Sequence, residues 1–333
     1  YETETREAWR LDFTEEQLAA SHVAAMKTGL LLPHRGPEHL PVEESVATSE
    51  PSGASGDAGF AIPPPVQGTW SNNDDSRTMR TVAEGYSLSH WPFRTIGQMA
   101  FTDAQGCTGT LIGNKTVLTA AHCVYDRDAG SFKASNFKPR SDPSAYAPWG
   151  EATVVAYGVP AGYMDLGVSN PNRFDIAVVQ VDIGYAGSTG YMGWGAFPQS
   201  SIENWSGKRL RGYPGCAAGE SWSSARPLVC NGFICSCIGG ALWSDTKGCG
   251  VNNFRSADGS GWRREYDVRC DGSPGMSGAA HYTANTTLGT AAMGVYSQYN
   301  CTPPGCTTTW ANTMTRLTPK YVSIFAPLKQ AWD

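Results

Sequence analysis

Three short words in the chain carry side chains that could do chemistry together. Thr119-Ala120-Ala121-His122-Cys123 follows Gly106-Cys107-Thr108-Gly109-Thr110-Leu111-Ile112. Arg173-Phe174-Asp175-Ile176-Ala177-Val178-Val179 places a carboxylate 53 residues beyond the histidine, and Gly275-Met276-Ser277-Gly278 places a hydroxyl 102 residues beyond that. A serine hydroxyl is a poor nucleophile until a neighbouring base takes its proton, and a neutral imidazole near pH 7 suits that task. A buried carboxylate fixes the imidazole tautomer and steadies the cation that forms. Each word alone is ordinary: a GxSG can be any turn, and an Asp before an apolar strand is commonly a cap or a surface charge. The His-bearing word is the most specific of the three.

The elements that must position these residues are read from composition and pattern. Of 333 residues, 41% are apolar and 17% charged, with 38 Gly and 21 Pro. That is too apolar for a disordered chain, and abundant Gly with 11 Trp, 14 Tyr and 11 Phe suits a turn-rich all-β protein. Short apolar runs at Thr108–Ile112, Thr116–Ala121, Thr153–Val159, Asp175–Val181, Arg209–Tyr213 and Ala292–Tyr296 read as strands of a sandwich or barrel. Thr318-Pro319 opens a last element, to about Trp332, whose apolar residues at 321, 322, 325 and 328 form a helical stripe. No run of about 18 apolar residues is present to span a membrane, and a net charge of -5 gives no reason to expect nucleic-acid binding.

The first eighty residues differ from the rest. They hold 13 acidic and 6 basic residues and no Cys, whereas residues 81–333 hold 17 acids and 19 bases. Thr14 is placed to cap a helix running to about Met26, with Gln17 completing a capping box. Residues 41–75 are rich in Ser, Gly, Pro and acid and read as a linker. The division expected is therefore an acidic, partly helical leader at 1–80, resembling a propeptide, and a Cys-rich body at 81–333. The alternative is an exposed extension with no inhibitory role.

Ten Cys, all between positions 107 and 306, form an even set that reads as a disulfide framework. Zinc is the rival reading, but no repeated CxxC pair is present and His is scarce there. Sequons at Asn114, Asn204, Asn285 and Asn300, and a first residue, Tyr1, that is not Met, fit a secreted chain whose signal peptide has been removed.

The order His, Asp, Ser and the words around them resemble the chymotrypsin-like (trypsin-fold) serine peptidases over roughly residues 91–328. The resemblance implies two packed six-stranded antiparallel β-barrels with a C-terminal helix and a cleft between them. It implies His122 as general base and acid, Asp175 as the orienting carboxylate and Ser277 as nucleophile, without metal or organic cofactor. The N–H groups of Gly275 and Ser277 would form the oxyanion hole, and Cys107 would pair with Cys123 around the histidine. Met276 stands where digestive members of the family have an Asp, so the ion pair with a newly cut N-terminus cannot form. The words His90-Trp91-Pro92-Phe93-Arg94-Thr95-Ile96-Gly97-Gln98, Arg211-Gly212-Tyr213-Pro214-Gly215 and Thr315-Arg316-Leu317-Thr318 look like the glutamyl-endopeptidase-like branch.

In that branch a His meets the substrate carboxylate in the primary pocket. Tyr296 stands at its place here and cannot supply the same charge. Asp271, six residues before Ser277, occupies the spacing at which trypsin-like members pair with Arg or Lys; its alternative role is to cap the turn beside Cys270. Ser297 matches a residue that hydrogen-bonds the orienting carboxylate. The segment from Cys216 to Cys249, with five Cys, reads as a stapled surface excursion that shapes the cleft or binds a partner. The expectation is thus a secreted, monomeric serine endopeptidase acting on polypeptides, with the leader able to inhibit it in cis. The alternatives are a non-catalytic binding protein on the same scaffold and an esterase using the same three residues.

Overall fold

The computed structural model describes residues 66–67, 78–81, 90–101, 106–139, 148–213, 230–231, 234–235, 242–245, 248–259, 261–270, 272, 275–286, 289–299 and 312–333. The helix expected at 14–26, Asp271, Asn300 and most of the segment between Cys216 and Cys249 lie outside these residues. Two short strands come first, β1 (Val66–Gln67) and β2 (Thr78–Thr81), paired antiparallel with each other.

The first half of the body is a closed barrel. Its strands are β3 (Ile96–Phe101), β4 (Gly106–Leu111), β5 (Thr116–Thr119), β8 (Ser135–Pro139), β9 (Ala152–Gly158) and β10 (Ala177–Val181), and a small hairpin of β6 (Tyr125–Asp126) and β7 (Ser131–Phe132) projects from it. The closed order is β10-β5-β4-β3-β8-β9. Alternation is clearest in β8, where Ser135, Phe137 and Pro139 are buried while Asn136 and Lys138 are half-buried. Inward residues Met99, Leu111, Val117, Phe137, Val154 and Val179 make the barrel's core. The period-2 pattern and β-branched content are what specify these strands.

The second half is a ten-stranded sheet. It comprises β11 (Gly193–Trp194), β12 (Arg209–Gly212), β15 (Trp243–Asp245), β16 (Val251–Ala257), β17 (Arg263–Val268), β18 (Ala280–Thr286), β19 (Gly289–Tyr299) and β20 (Asn312–Arg316), together with β1 and β2. A separate hairpin pairs β13 (Cys230–Asn231) with β14 (Ile234–Cys235). The sheet order is β1-β2-β15-β12-β18-β19-β20-β17-β16, with β11 parallel to β19. Among the described residues the hydrogen-bonded path runs from β1 to β16 without closing, where a second six-stranded barrel was expected. β12 pairs with β15, which in turn pairs with β2. One backbone bond, Cys249 N to Lys208 O at 2.9 Å, links the segments leading into β16 and β12.

Four helices complete the described fold: α1 (Ala121–Val124), α2 (Ala161–Met164), α3 (Gln199–Asn204) and α4 (Pro319–Trp332). Thr318 caps α4, its hydroxyl accepting from Tyr321 N, with Pro319 in the first helical position, as the Thr-Pro word predicts. Tyr321, Val322, Phe325 and Leu328 are buried as the stripe requires. They join Ile96, Leu118 and Val178 of the barrel and Tyr282 and Val295 of the sheet in one apolar cluster, so α4 seals the seam between the halves.

Asp333 fastens the end of α4. One carboxylate oxygen accepts from Lys115 N and Thr116 Oγ1, each at 2.9 Å, and the other meets Lys329 Nζ at 2.6 Å. The Lys329 side chain is only 3% exposed, so removing its partner leaves a charge out of water. Asp333→Ala is expected to cost about 2–3 kcal/mol in urea unfolding at neutral pH; an unchanged midpoint would show the tether to be idle.

Candidate active site

His122 is positioned by what its neighbours bury. β5 runs out at Thr119 into α1, whose Ala121, Cys123 and Val124 pack inward and leave the His122 side chain 36% exposed. Cys123 is bonded to Cys107 on β4, with 6.1 Å between their Cα atoms, which pins this one-turn helix to the barrel.

Asp175 arrives from the other side. A 3-10 turn at Pro171–Phe174 is started by Asn170, whose side chain accepts from Asn172 N, and by Pro171 in its first turn. The turn closes with Asp175 N donating to Asn172 O at 3.0 Å, which places the carboxylate inward at 2% exposure. There it accepts three hydrogen bonds: from His122 N at 2.8 Å, His122 Nδ1 at 2.7 Å and Ser297 Oγ at 2.5 Å. With Nδ1–H given to the carboxylate, the neutral ring keeps its lone pair at Nε2. Burial pulls the His122 pKa down. The Asp175 charge and hydrogen bond more than reverse this, Lys133 opposes them, and the net result lies above the ordinary histidine value.

Ser277 sits in a tight turn between Gly275 and Gly278, at φ of 88° and 82°, backbone that a side chain at either position would strain. A Cβ on Gly278 would also overlap Thr119 Oγ1 and the Thr108 carbonyl and crowd Ala120 N. The turn is thereby pressed against the segment that leads into His122. Thr108 N donates to Ser277 O at 2.7 Å, and Thr108 Oγ1 donates to Gly275 O at 3.1 Å while accepting from Tyr213 N at 2.8 Å. On the sheet side Gly278 N donates to Tyr296 O at 2.8 Å and Tyr296 N to Ala279 O at 2.9 Å.

Among the described residues the N–H groups of Gly275 and Ser277 donate to no protein acceptor. The Ser277 hydroxyl makes no hydrogen bond among the described residues, to His122 Nε2 or to any other group. Such bonds are commonly long without substrate and tighten in the complex. His122, Asp175 and Ser297 form one hydrogen-bonded group, and Ser277 stands in the adjoining turn.

Tyr296 is 1% exposed; its ring lies against Gly272 and its hydroxyl donates to Asn312 Oδ1 at 3.2 Å. Sequence reasoning missed Thr108, the hinge of the Ser277 turn, and the clasp between Asn172 Nδ2 and Gln298 Oε1 at 2.9 Å. Neither residue type carries a signal: a Thr in a strand and an Asn in a turn are ordinary. It also left unpaired Cys249 and Cys270, which are bonded to each other across the β16–β17 end of the sheet. Cys249 thus anchors the sheet rather than stapling the excursion that precedes it. Cys107, His122 and Cys123 cluster closely enough to suggest a metal site. Their two sulfurs are bonded to each other, however, and offer no thiolate. Of the sequon residues, Asn204 and Asn285 are exposed, whereas Asn114 is half-buried and accepts from Ala186 N at 2.8 Å.

Three comparisons bear on this geometry. The chain is 30% identical over 157 residues to the glutamyl endopeptidase of Bacillus licheniformis, 46% of each chain, and 26% identical over 166 residues to a Bacillus subtilis protein named extracellular metalloprotease. The chain thus spans about half the length of the curated relatives it matches. A solved Glu endopeptidase, determined in complex with MPD, superposes with a TM-score of 0.56 at 22% identity, covering 78% of this chain and all of that one, which is a likeness of fold. Residues 107–288, more than half of the chain, match the trypsin-like peptidase domain. The chain belongs to that family, a chymotrypsin-fold peptidase near the glutamyl-endopeptidase branch.

Proposed function

We propose that this chain is a secreted serine endopeptidase that cleaves polypeptides through an acyl-enzyme. The observation that carries the reading is the Asp175 carboxylate, buried and shared between His122 and Ser297, which holds Nδ1–H and leaves Nε2 to act as base. Ser277 Oγ gives its proton to Nε2 and attacks the scissile carbonyl carbon, and the imidazolium then returns the proton to the leaving amine. Water repeats the cycle to release the acyl group. Gly275 N–H and Ser277 N–H, which donate to no acceptor among the described residues, are the donors for the developing oxyanion.

In the same reading Tyr296, Ser297 and Asp271 are the candidate substrate-binding residues. The Tyr296 hydroxyl is neutral and already donates to Asn312, so it offers no counter-charge to a glutamate side chain. Strict glutamate preference is not expected here, although the Bacillus licheniformis relative is named a glutamyl endopeptidase. A cationic residue would be preferred where Asp271 reaches the pocket. Residues 1–80 would act as an inhibitory leader to a body at 81–333, and Asn204 and Asn285 would carry glycans.

A fluorophosphonate probe tests the nucleophile: it should label the wild type and not Ser277→Ala, whose peptidase rate should fall by about 10⁴ or more. Labelling that persists in Ser277→Ala would end the serine reading, and no labelling of the leader-free protein would favour a non-catalytic binding role. Cleavage of a peptide library then separates peptidase from esterase and reads the side-chain preference.

The pH profile tests the couple. Catalysis needs neutral His122, so kcat/KM should rise with pH through a midpoint above the ordinary histidine value of about 6.5. The same raised pKa contributes stability that is complete below the ordinary value and lost as pH rises through the raised one. Asp175→Asn should lower the His122 midpoint, followed by imidazole proton NMR, and cut kcat by about 10⁴; an unmoved midpoint would break the assignment. Finally, deleting residues 1–65, which spares β1 and β2, should raise the rate on a small peptide. An unchanged rate would make the leader a plain extension.

A further inference from the structure

The turn that carries Asp175 is too short to hold itself. It spans Pro171–Phe174, none of these four residues is fully buried, and yet the carboxylate that follows is 2% exposed and meets both His122 and Ser297. A 3-10 turn of this length has few internal hydrogen bonds, and their geometry is poor. Phe174 packs partly buried against the cores of both halves, but apolar contact is non-directional. Directional bonds from outside the turn have to fix how it presents Asp175.

Three side chains of the second half and its helix supply them. Gln298 Oε1 accepts from Asn172 Nδ2 at 2.9 Å, Thr315 Oγ1 donates to Asn172 O at 2.8 Å, and the Tyr321 hydroxyl donates to Arg173 O at 2.5 Å. The Arg173 carbonyl lies two residues before Asp175, and among the described residues no other donor reaches it. Tyr321 sits in the first turn of α4 and is itself 2% exposed. Its ring lies parallel to that of Phe325 within the apolar seam, and a ring held in close-packed surroundings has one place to put its hydroxyl. Burial pushes the phenol above its ordinary range, so it stays a neutral donor at any working pH.

We propose that Tyr321 is a positioning residue for Asp175: through the Arg173 carbonyl it holds the turn so that the carboxylate meets His122 Nδ1. The proposal rests on the catalytic reading of Asp175 and adds to it a polar task for the C-terminal helix. The size of the effect follows from geometry, since a displacement of about 1 Å at a catalytic group can cost about 100-fold in rate.

Tyr321→Phe tests it by removing one oxygen and keeping the ring. It should lower kcat by about tenfold or more and leave KM within about twofold. The His122 midpoint, followed by imidazole proton NMR, should move down, because burial and Lys133 already pull that way and the Asp175 contribution weakens. Thr315→Val should act in the same direction and carries the test if Tyr321→Phe does not fold. The two together should cost less than the product of their separate effects, because both act on one turn. Tyr185→Phe is the control: it removes another buried phenol hydroxyl, which donates to Gly150 O in the barrel half. It should lower thermal stability with kcat and the His122 midpoint unchanged. If Tyr321→Phe and Thr315→Val merely behave like this control, the proposal is overturned. A midpoint that moves in Asp175→Asn but in neither of these variants overturns it alone, whereas one that Asp175→Asn also leaves in place overturns it together with the catalytic reading.

Discussion

A carboxylate almost without access to water cannot remain charged unless its lone pairs are filled, and this requirement organises the molecule around Asp175. Its partners come from opposite halves: His122 follows a barrel strand, and Ser297 lies on the long sheet strand β19. Neither half alone would supply enough donors to offset the desolvation. Docking the halves is therefore what makes the group possible, and the same docking fixes the imidazole ring. The 3-10 turn that presents Asp175 is itself held across the seam, through Asn172 to Gln298 and through the Asn172 carbonyl to Thr315.

The Ser277 turn follows the same logic with backbone rather than charge. Thr108 on the barrel grips Ser277 and Gly275, while Tyr296 on the sheet grips Gly278. Two glycines permit the curvature that lets both grips act within four residues. The turn is thus bonded to both halves, which pack on each other in the apolar seam beneath α4. The long-range contacts and the local turn are parts of one constraint.

Much of this was legible from the chain. The strands around His122 and Asp175, the Thr318 cap and the stripe of α4 follow from period and capping, because local residues decide them. Cys107 with Cys123 was legible only through resemblance, and Cys249 with Cys270 not at all, since connectivity depends on where strands end in space. The pairing of β15 with both β12 and β2 was illegible for a related reason. Alternation tells a strand which face to bury but not which edge to pair. Arg173 and Arg264 illustrate the same limit: their separation of 91 positions hides the fact that both rest on Phe174.

Met276 bears on how the Ser277 turn is kept in order. In digestive relatives an aspartate at this place needs an ammonium created by cleavage, so the turn waits on a charge. Here Met276 is fully buried with Leu210, Tyr266, Val268 and Met314, and a thioether in such a cluster is held by dispersion and exclusion of water. That interaction exists as soon as the sheet folds and is indifferent to any newly made terminus. The order of the Gly275–Gly278 turn thus rests on apolar packing and on its bonds to Thr108 and Tyr296, with no charge at position 276 to be satisfied.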